Sequence, residues 1–575
     1  MNIKSLNIKL KKLFNNNVTA IENEYSVILN GELDSWDEII SACHLAVDKK
    51  SGKHVVNNIV LKNVEIPKMS IPNVLDDSLD GNQCDVLVIG GGIVGSSILR
   101  ELTKWNLNCL LVDKETDIAG HASSRNDGEV HPGIDLKKGS LKQHYVLLGN
   151  KMYDQVCKDL GVHFERVGQY VGFTLGWVKP IVKLYVNQRR KDGVEGTVIL
   201  NQKELAEREP YLNKDFKFAI FSPTAGCVSP YNLTIAYAEN AVENGARVSL
   251  ETAVLGMEVE NGIIKSVKTN RGTIYPKLVV NAAGCFSDDV AQMANDRYFS
   301  IHPRKGTDII FDKKVSYITD AIAGIKKIKS NKNTKGGGIL HTIHGNILVG
   351  PNAIETYQKE DFSTDSKDIK EVLDKQTITS PYLKNKDIIT YFAGVRAPTF
   401  EEDFIIERGK NTDNIIHCAG MQSPGLTAAP AVAIDVAQFC VDYFEEKGER
   451  IKVNKKFNPV RKAPVDVKTL SDDERNKLIK ENPNYGIIVC RCEEVSKGEI
   501  IDALNRPISV PTIDAIKRRV RPGMGRCQGG FCSPLVTKII ADFKNEDILD
   551  VRKNQKDSVV VYSHTKGSTK WENMM

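Results

Sequence analysis

Apolar positions along the chain change period several times. VTAIENEYSVILNGELD alternates in twos like a hairpin, and SWDEIISACHLAV then places Trp36, Ile39, Ile40, Cys43 and Val47 on one helical face. Ser35 and Glu38 form a capping box that fixes that helix's start, and HVVNNIVL reads as a closing strand. Together they predict a small α/β module over residues 1–62. Residues 63–82, with two prolines and the run DDSLDGN, hold no sustained period and read as a linker. A buried apolar run then passes directly into a helical one at CDVLVIGGGIVGSSILRELTKW. Strand-like and helix-like stretches alternate from there without an internal repeat, which predicts a mixed α/β enzyme over 83–450. A polar, lysine-rich linker over 451–484 separates a last module at 485–545, and 546–575 form a tail without a motif.

At 575 residues the chain is too long for one core and suggests several domains. With 78 basic against 73 acidic side chains, a net charge of +5 argues against a nucleic-acid binder. No apolar run reaches the roughly 18 to 20 residues of a membrane span, and MNIKSLNIKLKKLF lacks a signal peptide's continuous apolar segment. A cytoplasmic location is expected, with peripheral membrane association left open. Of the twelve cysteines, Cys43, Cys84, Cys109, Cys157, Cys227, Cys285, Cys418 and Cys440 stand singly and read as buried thiols. Cys490, Cys492, Cys527 and Cys532 cluster as C-x-C and C-x4-C, the spacing of a metal centre.

Gly90, Gly92 and Gly95 occupy the G-x-G-x-x-G positions between a strand and a helix, and a second apolar strand, CLLVD, ends in Asp113. In that context Gly90 permits the tight turn, Gly92 lets backbone N–H groups approach a pyrophosphate, Gly95 lets helix and strand pack, and Asp113 accepts from a ribose. HASSRNDGEVHPGIDLKKGSLK follows closely, where NAD-only domains continue into another βα unit.

These segments, with PTAGCVSPYNL, LVVNAAG, HGNILVGPNA, YFAGVRAPT and HCAGMQSPGLTAAPA, resemble the D-amino-acid-oxidase-like FAD superfamily, in its glycerol-3-phosphate and L-2-hydroxyglutarate dehydrogenase branch. The resemblance implies a Rossmann-like FAD-binding domain with an inserted α+β substrate domain. It gives Ser123, Ser124 and Asn126 to the pyrophosphate, room for the isoalloxazine to Gly128, and the adenine edge to Val254. Ala283 and Gly284 would end a strand against FAD, and Gly425 and Leu426 would open a helix whose positive end faces the reduced flavin. The N-terminal module resembles a BON-type domain, which implies docking or interaction.

Dehydrogenation of a secondary alcohol needs a hydride acceptor, a base and an anion anchor. Arg396 in GVRAP matches the family's substrate-facing arginine, and a guanidinium can bind carboxylate or phosphate bidentately. His131, beside the expected flavin, and His341 and His344, on what reads as one strand, are the candidate bases. Three apart on a strand, His341 and His344 would face opposite sides.

Four thiolates fit structural zinc or a 2Fe-2S cluster. The helical module they bracket, with a capping box at Ser496 and Glu499, resembles the BFD-like 2Fe-2S domain of the anaerobic glycerol-3-phosphate dehydrogenase large subunit, although its last pair is C-x4-C where shorter relatives have C-x2-C. The combined resemblance implies oxidation of a small anionic secondary alcohol, first glycerol 3-phosphate. Electrons would pass through the cluster to a second redox subunit, a quinone or a flavoprotein. HCAGMQSPGLTAAPA looks closer to L-2-hydroxyglutarate enzymes, and an amine or amino-acid dehydrogenase or a non-catalytic electron-transfer subunit are the other readings.

Overall fold

Strand Asn82–Ile89 lies inside an eight-stranded sheet, between the parallel strands Cys109–Val112 and Gly272–Asn281. Its side chains from Val86 to Ile89 are buried, as expected for a strand covered on both faces. Arg247–Ser249 extends one edge in parallel, and Ile415–Ala419 pairs in parallel with the end of Gly272–Asn281. The helix Ile93–Leu102 follows the glycine turn and is buried along its whole length between Pro230–Glu243 and Gly425–Glu446. Among the described residues, which are 2–326 and 337–563 of this computed structural model, Gly425–Glu446 is the one helix long and apolar enough to cross a membrane. It is mostly buried inside the fold.

A second sheet has nine strands among the described residues. Arg304–Phe311 runs antiparallel to Ile388–Arg396 on one edge and to Ile347–Gly350 on the other. The α/β reading, with a flavin-type domain and an inserted sheet, agrees with this arrangement.

The N-terminal residues form the predicted hairpin, helix and closing strand: Val18–Glu22 pairs antiparallel with Ser26–Leu33, which pairs in parallel with His54–Leu61. The Ser35/Glu38 capping box is present. One helix, Ile3–Leu13, was not anticipated; it buries Leu6 and Leu10, one turn apart, in a segment otherwise rich in lysine. The module is fastened to the oxidoreductase by non-local bonds. Ser26 Oγ donates to Tyr298 O (2.8 Å), Val55 N to Glu401 Oε1 (2.8 Å) and Asn57 N to Ser300 Oγ (3.0 Å), while Phe400 joins its apolar core. Residues up to Asn458, apart from 160–162, therefore form one compact unit, in which 63–78 have no regular structure.

The second compact unit starts at Pro459, inside the stretch read as a linker. That stretch holds a helix, Asp472–Glu481, capped by Ser471 and Glu474 but burying no side chain, which is why it lacks an apolar period. Beyond it, short strands Ile488–Cys490 and Val495–Ser496 and helices Lys497–Leu504, Ile513–Val520 and Ser533–Lys544 share a core of Val489, Ile500, Ile516 and Ile540. Residues 564–575 of the expected tail lie outside the described residues.

Candidate functional site

The first unit encloses a cavity of about 1070 Å³ that runs from the glycine turn to the end of the strand carrying Arg396. At the turn Gly90 has φ +113°, and a side chain there would meet Ala282 O. A Cβ on Gly95 would sit 1.9 Å from Gly90 O, so helix and strand touch at these two glycines. Gly92 is the N-cap of Ile93–Leu102 and provides no side-chain cap, leaving the helix start to the cavity and to Ser123, whose Oγ accepts from Ile93 N at 2.8 Å. A helix N-terminus with free N–H groups at a backbone-lined cavity is a cradle for a pyrophosphate.

Asp113 is half-buried and accepts from Gly91 N (2.5 Å) and Glu115 N (2.7 Å), so it holds the glycine turn as well as lining the cavity at the ribose position. Burial, aided by the charge of Glu115, raises its carboxyl above the usual range despite those donors. Asn126, Val254, Ala283, Gly284, Gly425 and Leu426 also line the cavity, and Gly425 is the first residue of its helix. Ser124 and Gly128 are not among the lining residues. Ser124 Oγ is turned to His121 O (3.2 Å), which makes it a loop former. Gly128, at φ +77°, gives way to Val228 O, which a Cβ would approach to 2.3 Å, and not to a ring in the cavity.

At the far end Arg396 closes its strand opposite Arg304, and both line the cavity. Gly306 leaves the space that the Arg396 guanidinium fills: a Cβ there would lie 2.5 Å from Nη2. Arg396 donates to Asn352 O at 3.2 Å. Burial lowers its pKa, opposed by the nearby charges of Asp308 and Asp127. Arg304 is bound differently, by Glu355 (Nε to Oε1, 2.7 Å) and Glu402 (Nη2 to Oε1, 2.6 Å). Burial would raise Glu402, but the bond and charge of Arg304, helped by Lys142 and Gln422, hold it down to about 2. Asp308 is 1% exposed, and its Oδ1 has no hydrogen-bond partner among the described residues. Burial, then the charge of Asp127, pushes its carboxyl well up, against the pull of Arg396. Arg304, Lys142, Asp308 and Asp127 were not read from the sequence.

The three histidines separate. His131 lines the cavity and is buried; its Nδ1 accepts from Gly133 N (2.9 Å), so the ring proton of the neutral form sits on Nε2, 3.2 Å from Asp135 Oδ1. Neither His341 nor His344 is among the lining residues. The segment read as one strand is two, Gly338–His341 and Ile347–Gly350, joined by a turn through Gly345 (φ +80°) that holds His344. The opposite-face argument fails because the turn breaks the period.

In the second unit Cys490 ends a strand, Cys532 caps a helix, and Cys492 and Cys527 lie in turns between. The Sγ atoms of Cys492 and Cys527 are 3.6 Å apart. Two corners of a tetrahedron with metal–sulfur bonds of about 2.3 Å would be separated by about 3.8 Å. A hydrogen bond from Cys532, with backbone N–H groups of Gly523, Glu493 and Cys492, outweighs burial and holds the Cys490 thiol down to about 6. N–H groups of Phe531 and Gly529 act on Cys527. Gly525 admits the close approach of Cys492, whose Cβ would lie 2.3 Å from an added Cβ. Two sulfur pairs, Cys492 with Cys527 and Cys490 with Cys532, with backbone donors around them, fit an iron–sulfur cluster. The eight single cysteines are all buried, as read.

The FAD dependent oxidoreductase family matches residues 85–439, and the BFD-like 2Fe-2S binding domain family matches 488–542. A glycerol 3-phosphate dehydrogenase of Caloramator mitchellensis is 37% identical over 483 residues, covering 84% of this chain and 99% of that protein. An L-2-hydroxyglutarate dehydrogenase of Indibacter alkaliphilus is 25% identical over 403 residues, 62% of this chain and 99% of that one. The solved L-alpha-glycerophosphate oxidase of Mycoplasma pneumoniae with FAD bound covers 67% of this chain and 100% of its own, with a TM-score of 0.62 at 24% identity, a likeness of fold.

Proposed function

Since this chain belongs to the FAD dependent oxidoreductase family, we propose that it oxidises glycerol 3-phosphate to dihydroxyacetone phosphate and passes the electrons through its 2Fe-2S cluster to a separate acceptor. The observation that carries the reading is the 37% identity to a glycerol 3-phosphate dehydrogenase, over a span longer than the flavin segment itself. FAD supplies the hydride acceptor, and the cluster supplies a one-electron exit.

This chain's own residues do the rest. Arg396, whose hydrogen bond goes to the backbone carbonyl of Asn352, takes the phosphate, and Arg304 adds positive potential beside it. The His131–Asp135 pair takes the hydroxyl proton. With Nδ1 engaged by Gly133, the pair accepts on its Nε2–carboxylate side and goes from one negative charge to none. The acceptor is a second redox subunit, a quinone or a flavoprotein, and the buried single thiols suit a reducing cytoplasm.

The test is kcat/KM with an artificial acceptor for glycerol 3-phosphate, L-2-hydroxyglutarate and small amines. Preference for glycerol 3-phosphate by a factor of at least about 100, a few kcal/mol of transition-state discrimination, is expected. Preference for either other class would overturn the assignment.

A further inference from the structure

Helix Lys179–Lys191 has apolar side chains on two faces, and folding covers only one. Inward, Val186 is buried, Tyr185 Oη donates to Ile134 O (2.5 Å) and Arg189 Nη1 to Leu136 O (2.8 Å), which fastens the helix to the loop after His131. Outward, Trp177 is 69%, Ile181 63% and Leu184 71% exposed, with Leu175 at 43% in the approach to the helix. Trp177 sits in the 3-10 turn Gly176–Val178 that runs into the helix, so 177, 181 and 184 follow i, i+4, i+7 and share a face. Single exposed apolar residues are ordinary on a protein surface, but a contiguous stripe marks an interaction site.

The charges on the helix itself have one sign. The helix contains Lys179, Lys183, Arg189, Arg190 and Lys191 and no acidic residue, and Lys217 lies against Gly176. Among the described residues Lys179, Lys183 and Lys217 form no ion pair. Aspartate and glutamate near the far end are already engaged: Asp192 by Lys138, and Glu195 by Lys151. A Trp-Ile-Leu stripe bordered by lysines that form no ion pair, on a helix without an acidic residue, matches a helix lying in the plane of an anionic lipid interface, aliphatic parts sunk and ammonium groups at the headgroups.

We propose that the outward stripe Trp177, Ile181 and Leu184, with Lys179, Lys183 and Lys217, seats this protein on an anionic membrane surface. The inference is independent of the substrate. Because Ile181 and Tyr185 also line the cavity wall, the seated helix places that wall at the lipid interface.

The test is co-sedimentation of the FAD- and cluster-loaded protein with vesicles of phosphatidylglycerol and phosphatidylcholine, against vesicles of phosphatidylcholine alone. Binding to the anionic vesicles that weakens as salt is raised is expected. A Trp177→Ser/Leu184→Ser variant, whose side chains are exposed and outside the cavity lining, should keep its FAD and its turnover and lose vesicle binding at least tenfold. Lys179→Gln/Lys183→Gln should lose about fivefold per lysine. Wild-type protein that ignores anionic vesicles, or a Trp177→Ser/Leu184→Ser variant that binds them equally, would overturn the proposal. So would a wild-type dimer, without vesicle binding, that this variant converts to a monomer, because the stripe would then face a second copy.

Discussion

Arg304 and Arg396 are directly paired across neighbouring antiparallel strands, and both line the same cavity. Two guanidinium groups held this close repel unless each is compensated, and the compensation is unequal. Arg304 is bonded by two carboxylates, whereas Arg396 has a backbone carbonyl and the more distant charges of Asp308 and Asp127. That asymmetry assigns Arg304 to the architecture and Arg396 to the incoming anion.

Exchange of the two arginines should therefore give different defects. Arg396→Met loses charge-assisted bonds worth about 1.5–3 kcal/mol each, so KM for glycerol 3-phosphate should rise roughly 10- to 150-fold with FAD content and stability unchanged. Arg304→Met leaves Glu355 to His302 and Glu402 to Gln422 and Lys142, without the buried guanidinium between them, and should cost about 3 kcal/mol in denaturant unfolding. Equal destabilisation by both variants would refute the division of roles.

Gly306→Ala tests the same geometry without removing a charge. The added Cβ falls 2.5 Å from Arg396 Nη2, so the guanidinium must leave its place. Steady-state kinetics should show a raised KM, in the direction of Arg396→Met, while bound FAD, titrated by absorbance, stays stoichiometric.

The buried Asp308 carboxyl has a raised pKa, so the folded state keeps its proton where the unfolded chain has lost it. Its contribution to stability is complete below the ordinary carboxylate range and is lost as pH rises towards the raised value. Asp308→Asn removes that loss. Chemical unfolding followed from acid to mildly alkaline pH should show the variant gaining on wild type as pH rises; a constant difference at every pH would count against a protonated Asp308.

Cys492→Ser should abolish the cluster, read as lost iron, labile sulfide and visible absorbance. Chemistry at the flavin and export of electrons lie in separate compact units. Single-turnover bleaching of FAD should accordingly survive in the variant while turnover with the physiological acceptor collapses. Zinc without sulfide in the wild type would remove the conduit.

What the sequence made legible was what is local. The glycine turn and the Ser35/Glu38 and Ser496/Glu499 capping boxes each sit within a few residues of what they serve, and the structure places them as read. Arg304 and Asp308 were missed although a signal exists: in RKGTDIIF, positions 304, 306 and 308 alternate arginine, glycine and aspartate, one face of a strand turned to a cavity. His341 ends a strand and His344 lies in the HGN turn after it, a break that the apolar residues on either side of the turn conceal. The attachment of the N-terminal module through Tyr298, Ser300 and Glu401 joins residues hundreds of positions apart, which no local pattern records.

The central claim is that glycerol 3-phosphate delivers hydride to FAD in this cavity. Anaerobic mixing of the FAD-loaded, cluster-loaded protein with glycerol 3-phosphate, followed by flavin absorbance, measures that step alone. The account predicts bleaching within one turnover, slowed at limiting substrate in Arg396→Met, with dihydroxyacetone phosphate formed in proportion to the electrons taken up. An unbleached flavin with glycerol 3-phosphate, in protein that L-2-hydroxyglutarate or an amine reduces readily, would contradict it.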